Sequence, residues 1–385
     1  MNISRRSFAI GLGALGLSAC DMANNAAAFA PRSDAALPPD LMPQSNAGYD
    51  AWVQAFKVRA AGQGISAGAL RNGFAQTGYL PGVVKRDRNQ TEFTRTLEDY
   101  LAIAASDERV TKGRAAFARH SASLRQIEAR YGVPAEVVTA VWGLESFYGE
   151  RRGNVPVVSA TSTLAYDGRR GVFFEKQLIA ALKILENGDV SASNLIGSWA
   201  GAMGHTQFIP TSYQAFAVDF NGDGRRDIWS EDPVDSLAST AAYLAKSGWV
   251  SGEKWGAEMG TPAASSGTPI SVLQPDPGGP RFAVFRNFRA IKRYNNSDNY
   301  AIGVGHLSDR IAGGGPIQAS FGPDRYELTI EDRKALQTRL TARGFDTDGT
   351  DGVIGPNSRK AISAYQASVG LPVTGDPSRD LLQRL

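Results

Sequence analysis

Tyr131-Gly132-Val133-Pro134-Ala135-Glu136-Val137-Val138-Thr139-Ala140-Val141-Trp142-Gly143-Leu144-Glu145-Ser146-Phe147-Tyr148-Gly149 reads as one helix with a polar exception on its buried side. Pro134 suits a first helical turn and Gly149 a C-terminal stop, which predicts a helix of about fourteen residues over 134–147. Val137, Val138, Val141, Trp142 and Leu144 form its apolar side, and Glu145 follows Val141 by four positions and Trp142 by three. The carboxyl group therefore lands on the face expected to be buried. Burial disfavours the charged form, so Glu145 is expected to have a raised pKa and to hold a proton near neutrality, the condition a general acid needs. Helix position alone equally admits a structural glutamate satisfied by a hydrogen bond or an arginine.

Working outward, apolar residues recur three and four apart at 51–58 and 93–101, and further helices are predicted at about 108–131, 174–187, 191–200 and 233–247. Between about 250 and 290, Gly and Pro separate β-prone runs, Ile270-Ser271-Val272-Leu273 and Phe282-Ala283-Val284-Phe285, which predicts a small β excursion. Helical periodicity returns near Tyr300. Gly313-Gly314-Gly315-Pro316 reads as a linker, and 327–385 as a compact unit of short helices. The predicted class is mainly α (α+β), with a large body over 49–315 and a small C-terminal domain over 327–385.

The chain has 385 residues and a formal charge of +3, with Lys and Arg interspersed among Asp and Glu, so nucleic acid is not expected as a partner. One cysteine excludes an intrachain disulfide. That cysteine, Cys20, ends a stretch with a charged start, an apolar run from Ala9 to Leu17 and small residues, the pattern of an export signal over 1–20. Ser4-Arg5-Arg6-Ser7-Phe8 resembles a twin-arginine signal, and Leu17-Ser18-Ala19-Cys20 a bacterial lipobox. Cys20 is thus the expected lipidation site, and 21–48, rich in Ala, Asn, Pro and Ser, the tether between membrane and folded body.

Asp219-Phe220-Asn221-Gly222-Asp223-Gly224-Arg225 sets oxygen side chains at alternate positions with glycine sixth, the start of an EF-hand-like calcium loop. Position twelve departs from that pattern: Ser230 stands where a bidentate Glu is usual. A metal-free Asp/Asn/Gly turn has the same composition. His120, His205 and His306 lie far apart in sequence, so no zinc site is expected.

Four blocks share a family order. Glu145-Ser146-Phe147-Tyr148-Gly149 comes first, then Thr163-Leu164-Ala165-Tyr166-Asp167 with Arg169-Arg170-Gly171 and Phe173-Phe174. The third runs from Ser198-Trp199-Ala200-Gly201-Ala202-Met203-Gly204 to Gln207-Phe208-Ile209-Pro210-Thr211-Ser212-Tyr213, and the fourth is Arg293-Tyr294-Asn295-Asn296-Ser297 with Tyr300. Over roughly 49–310 they resemble the membrane-bound lytic murein transglycosylase B family. That resemblance implies a lysozyme-like fold and a single catalytic carboxylate, Glu145, cleaving peptidoglycan glycan strands between N-acetylmuramic acid and N-acetylglucosamine. The implied product is a 1,6-anhydromuramyl end. Ser198, Gln207, Tyr294 and Asn295 would contact the sugars, with Met203, Phe208 and Tyr300 shaping the groove. The same resemblance implies that Asp219, Asn221, Asp223, the Arg225 carbonyl and, across a two-residue insertion, Asp235 hold a structural calcium, with no cofactor required for the chemistry.

Residues 327–385, with Asp351-Gly352-Val353-Ile354-Gly355-Pro356-Asn357-Ser358, Ala364-Tyr365-Gln366 and Gly370-Leu371-Pro372-Val373-Thr374-Gly375, resemble the three-helix peptidoglycan-binding module found beside many wall hydrolases. The expected location is the periplasm of a Gram-negative bacterium, lipid-anchored to the inner or outer membrane. Two other functions fit parts of the sequence: a hydrolytic muramidase, which needs a second well-placed carboxylate, and a non-catalytic wall-binding lipoprotein.

Overall fold

The computed structural model describes residues 37–89 and 95–385. The expected export signal with Cys20, most of the tether, and Phe93 and Thr94 lie outside the described residues. The body is helical, and its first long helix, Ala47–Gly62, begins two residues inside the expected tether, where the Asn46 side chain accepts the Tyr49 N–H at 3.0 Å.

The pivotal stretch forms the helix Ala135–Ser146, with Pro134 as its N-cap instead of its first residue. At the other end the helix stops before Gly149, because Phe147 (φ 53°) and Tyr148 (φ 60°) both turn left-handed. Each such non-glycine residue costs about 1–3 kcal/mol. Packing supports both. The Phe147 ring is buried with Arg109, Lys112 and Arg151 at 4.8, 4.3 and 4.6 Å from its centroid, and the Tyr148 hydroxyl donates to the Arg109 carbonyl at 2.7 Å. Gly143 permits the closure, since a Cβ there would lie 2.6 Å from the Tyr148 hydroxyl.

Two sequence expectations are corrected. The single helix over 108–131 is two, Asp107–Arg119 and Ser121–Tyr131, bent at His120, whose ring packs edge-on against Trp142 at 5.5 Å. The helix expected over 191–200 is absent. The Ser191 carbonyl instead accepts the N–H groups of Asn194 and Leu195 in a tight turn, and Ile196–Gly197 pairs antiparallel with Val155–Pro156. Long-range pairing overrides a weak local preference there. The remaining expected helices form as Leu97–Ala104, Gly171–Asn187, Val234–Lys246 and Asp298–Ile311. Five others were not expected: Ala67–Gly73, Pro81–Arg88, Val157–Asp167, Pro210–Phe216 and Arg286–Asn295. The β excursion is a three-stranded antiparallel sheet with Phe282–Val284 between Gly256–Glu258 and Ser271–Leu273; Ala283 pairs with both Ala257 and Val272.

Besides a core around Leu80, Leu164, Phe174 and Trp199, two larger apolar cores fill the body. One gathers Val138, Val141, Leu237, Leu244, Ile302 and Leu307, the other Phe56, Leu178, Leu182, Met203, Phe208 and Tyr213. Tyr294 and Tyr243 pack against both. The helices Ile330–Ala342, Pro356–Ser368 and Arg379–Arg384 close a separate core around Leu336, Leu340, Ile362 and Leu381. Buried Arg333 ties that unit to the body: it donates to Glu98 at 2.6 Å and Asp99 at 2.9 Å on the helix Leu97–Ala104, to Asp324 at 2.9 Å and to the Gly352 carbonyl at 2.7 Å.

Candidate active site

Glu145 occupies the last turn of its helix and is 8 % exposed. Its Oε1 accepts the Tyr300 hydroxyl at 2.7 Å. Tyr300 reaches that point from the first turn of the helix Asp298–Ile311, whose start is fixed by the Ser297 hydroxyl accepting the Tyr300 N–H at 3.3 Å. Burial pushes the Glu145 carboxyl up from 4.5 to about 8, with the Tyr300 hydrogen bond opposing it. Neither influence is a second carboxylate. The side chain is therefore protonated at neutral pH.

An aromatic wall leads away from the acid. Tyr294 stacks on Tyr300 with centroids 6.3 Å apart and planes 13° from parallel, and Phe208 lies 5.9 Å from Tyr294. The Tyr294 hydroxyl donates to the Thr206 carbonyl at 2.7 Å, and burial followed by the proximity of Glu145 holds its pKa well above 10.0. Asn295, next along, is buried at the end of the helix Arg286–Asn295.

Gln207 and Phe208 sit on a tight turn closed by two backbone bonds between Met203 and Phe208, at 2.9 and 3.0 Å. Gly204 (φ 70°) makes the turn possible, because a Cβ there would lie 2.4 Å from the Ile228 carbonyl oxygen. Gln207 itself is left-handed (φ 54°) and buried. Its Nε2 donates to the carbonyls of Arg152 at 3.1 Å and Gly204 at 2.8 Å, while its Oε1 is buried without a hydrogen-bond partner. A buried acceptor left open costs about 1–3 kcal/mol, and its chemistry suits an incoming N–H. Ser198 joins the same turn: Gly197 bridges to Met203, and the Ser198 hydroxyl accepts the Ala202 N–H at 3.0 Å.

The fold thus brings Glu145, Tyr300, Tyr294, Asn295, Phe208, Gln207, Met203 and Ser198 into one connected neighbourhood, all of them residues selected from the sequence. Arg152 and His205 were not selected. Both are buried behind Gln207; an arginine in Glu150-Arg151-Arg152-Gly153 has the local signature of a solvated residue, and only tertiary packing shows otherwise.

The acidic loop lies apart from this neighbourhood. Asp219 accepts the N–H groups of Gly222 and Gly224 at 2.7 and 2.9 Å, the Asn221 Oδ1 that of Asp223 at 3.0 Å, and Asp223 that of Arg225 at 2.9 Å. Asp235 accepts from Phe220 at 2.9 Å and from Asp227 at 3.0 Å. These all-oxygen donors suit calcium in kind. Among the described residues, however, no three His, Cys, Asp or Glu side chains converge on a point that could hold a metal. Nor, among those residues, is any helix long and apolar enough to cross a membrane.

Comparison with known proteins places the chain beside two families and three relatives. The Transglycosylase SLT domain family matches residues 48–269 and 260–309, and a peptidoglycan binding domain family matches 329–385. The membrane-bound lytic murein transglycosylase B of Escherichia coli is 35% identical over 211 residues, a match spanning 47% of this chain and 58% of that protein. SltB3 of Pseudomonas aeruginosa, solved with NAG-anhNAM-pentapeptide, is 44% identical with a TM-score of 0.68 over 88% of this chain and 99% of its own. Slt35 of Escherichia coli, solved with calcium, is 26% identical with a TM-score of 0.58 over 71% of this chain and 97% of its own.

Proposed function

Because the chain belongs to the lytic murein transglycosylase B-like family, with an SLT domain and a C-terminal peptidoglycan-binding module, we propose that it is a peptidoglycan lytic transglycosylase with Glu145 as its one acid and base. The observation that carries this reading is a buried, protonated carboxyl group that takes one hydrogen bond from a phenol and stands at the head of an aromatic wall. Protonated Glu145 donates to the glycosidic oxygen between N-acetylmuramic acid and N-acetylglucosamine as that bond breaks. The resulting carboxylate then takes the proton of the muramyl C6 hydroxyl as this oxygen attacks C1. The acid is regenerated, a 1,6-anhydromuramyl end forms, and no water is consumed.

The binding groups have matching chemistry. Gln207 Oε1 is an open acceptor for a sugar N-acetyl N–H, Ser198 and Asn295 add polar contacts, and Met203, Phe208, Tyr294 and Tyr300 supply apolar surface. A hydrolytic muramidase would need a second carboxylate to activate water, and none contributes to the electrostatics of Glu145. The similarity to SltB3, solved with NAG-anhNAM-pentapeptide, supports the same chemistry.

Mass spectrometry of the products released from purified sacculi tests the reading. Anhydromuramyl ends are expected from the wild type, with a loss of at least about 100-fold for Glu145→Gln. Reducing, hydrated ends would replace the proposal with a muramidase, and no release with a wall-binding protein.

The large body over 49–315 is the proposed catalytic domain and 327–385 the wall-binding one, with Cys20 lipidation holding both at a periplasmic membrane face. A diacylglycerol mass on the mature N-terminus, lost in Cys20→Ala, is the expected signature. For the acidic loop the proposal is a structural calcium held by Asp219, Asn221, Asp223, the Arg225 carbonyl and Asp235, supported by the oxygen donor set and by similarity to Slt35. No chemical step runs through it. Calcium should raise the melting temperature of the wild type and leave that of Asp219→Ser unchanged; an equal response sinks the site.

A further inference from the structure

We propose that Arg152, together with His205, is a positioning residue that holds the Gln207 amide and the end of the Glu145 helix against residues 229–231, so that the acidic loop controls how tightly the glycan is bound. The inference rests on the transglycosylase reading and deepens it.

Arg152 is 6 % exposed. Its Nη1 donates to the Trp229 carbonyl at 3.2 Å and the Ser230 carbonyl at 2.9 Å, and its Nη2 to Glu231 Oε1 at 2.8 Å. On the other side, the Arg152 carbonyl accepts the Gln207 Nε2 at 3.1 Å. One residue thus binds the segment that continues the acidic loop through its side chain and the sugar-facing amide through its backbone. Glu231 is largely exposed, so its ion pair contributes little, and the two carbonyls are the firmer attachment. A planar guanidinium serves several acceptors at once, which a single ammonium cannot reproduce.

His205 completes the strut. Its Nδ1 lies 3.1 Å from Trp142 Nε1 and its Nε2 2.8 Å from the Ser230 carbonyl. An indole N–H only donates, so Nδ1 is the acceptor and the proton sits on Nε2, which donates to the Ser230 carbonyl; the Arg152 Nη1, 3.0 Å from the same Nε2, is then a second donor converging on that carbonyl and not a partner of the ring. The ring therefore joins Trp142, one turn before Glu145, to the same Ser230 carbonyl that Arg152 holds. Ser146, adjacent to Glu145, donates its hydroxyl to the His205 carbonyl. With Nε2 of Gln207 committed to Arg152 and Gly204, its Oε1 is left as the open acceptor. Releasing Arg152 from residues 229–231 frees that amide to rotate. Substrate binding suffers first, while the acid itself stays in place.

The test compares full-length Arg152→Met, Arg152→Lys and wild type on soluble glycan chains. A parallel set in a Glu145→Gln background is titrated with a NAG-NAM saccharide. Arg152→Met should raise KM and the saccharide Kd about tenfold with kcat within about threefold, the scale of one charge-assisted hydrogen bond. Arg152→Lys should recover only part of the loss. In a cycle with Asp219→Ser, the double variant should bind no worse than Arg152→Met alone, since the loop acts through Arg152. A cooperatively folded Arg152→Met with unchanged KM and Kd overturns the proposal, and so do losses that multiply in the double variant. Should Arg152→Met fail to fold, His205→Phe and His205→Gln decide: Phe is expected to weaken binding several-fold and Gln, which keeps a donor for Ser230, to restore most of it. Equal effects of the two overturn the strut. Saccharide binding is read without turnover, so a wild type that binds but produces no anhydromuramyl ends would reject the transglycosylase reading and leave the strut standing.

Discussion

Glu145 and Arg333 are both charged residue types buried in this protein, and their surroundings are opposite. Arg333 is met by Glu98, Asp99, Asp324 and a backbone carbonyl at 2.6 to 2.9 Å, so its charge is matched before any partner arrives. Glu145 is met by one phenol, and its charge is unmatched. A buried charge with a full set of counter-ions serves connection; a buried acid without one is kept neutral and has a proton to give. Burial alone is common to the two, and the neighbours separate structure from chemistry.

The largest effect expected from this contrast is on Arg333. Arg333→Met strands three carboxylates and should destabilise the protein by about 3–5 kcal/mol in denaturant titration, with easier proteolysis between the helix Leu97–Ala104 and residues 329–385. Wild-type stability in that variant would break the comparison. Glu145→Gln should do the reverse. With a folded pKa of about 8 against 4.5, the native state is penalised once the unfolded chain ionises. The penalty is absent below about pH 4.5, grows as pH rises to about 8 and is constant above, reaching about 3 kcal/mol at neutrality. Glu145→Gln should therefore be more stable than wild type by a margin that widens with pH through this window; a margin flat with pH would show that Glu145 is not held neutral. The smallest effect is the sharpest. Tyr300 opposes the raised pKa, so Tyr300→Phe should move the alkaline limb of the activity profile upward by about one pH unit or less. A limb that moves downward would reverse the assigned role of the phenol.

Much of the site was legible because it depends on local pattern. Val137, Val141 and Trp142 at helical spacing announced which face of 134–147 would be buried, and with it Glu145. The family blocks then pointed to Ser198, Gln207, Tyr294 and Asn295 as candidates, which the fold places near one another. The misjudged parts depend on distant partners. Nothing within 191–200 reveals that Ile196 and Gly197 will pair with Val155 and Pro156, and nothing at His120 reveals that the helix will break there or that the ring will pack on Trp142. Arg152 was invisible for the same reason, since its acceptors lie 77 to 79 positions away.

The left-handed pair Phe147 and Tyr148 stops its helix directly after Ser146, and this has an electrical consequence for the residue before. Glu145 is thereby fixed in the helix's last turn, at the negative pole of its macrodipole, where an anion is disfavoured by about 0.3–1 kcal/mol. That field acts in the same direction as burial. A helix running on to Gly149 would carry its pole away from the acid; the early stop keeps the backbone itself among the groups that hold the proton on Glu145.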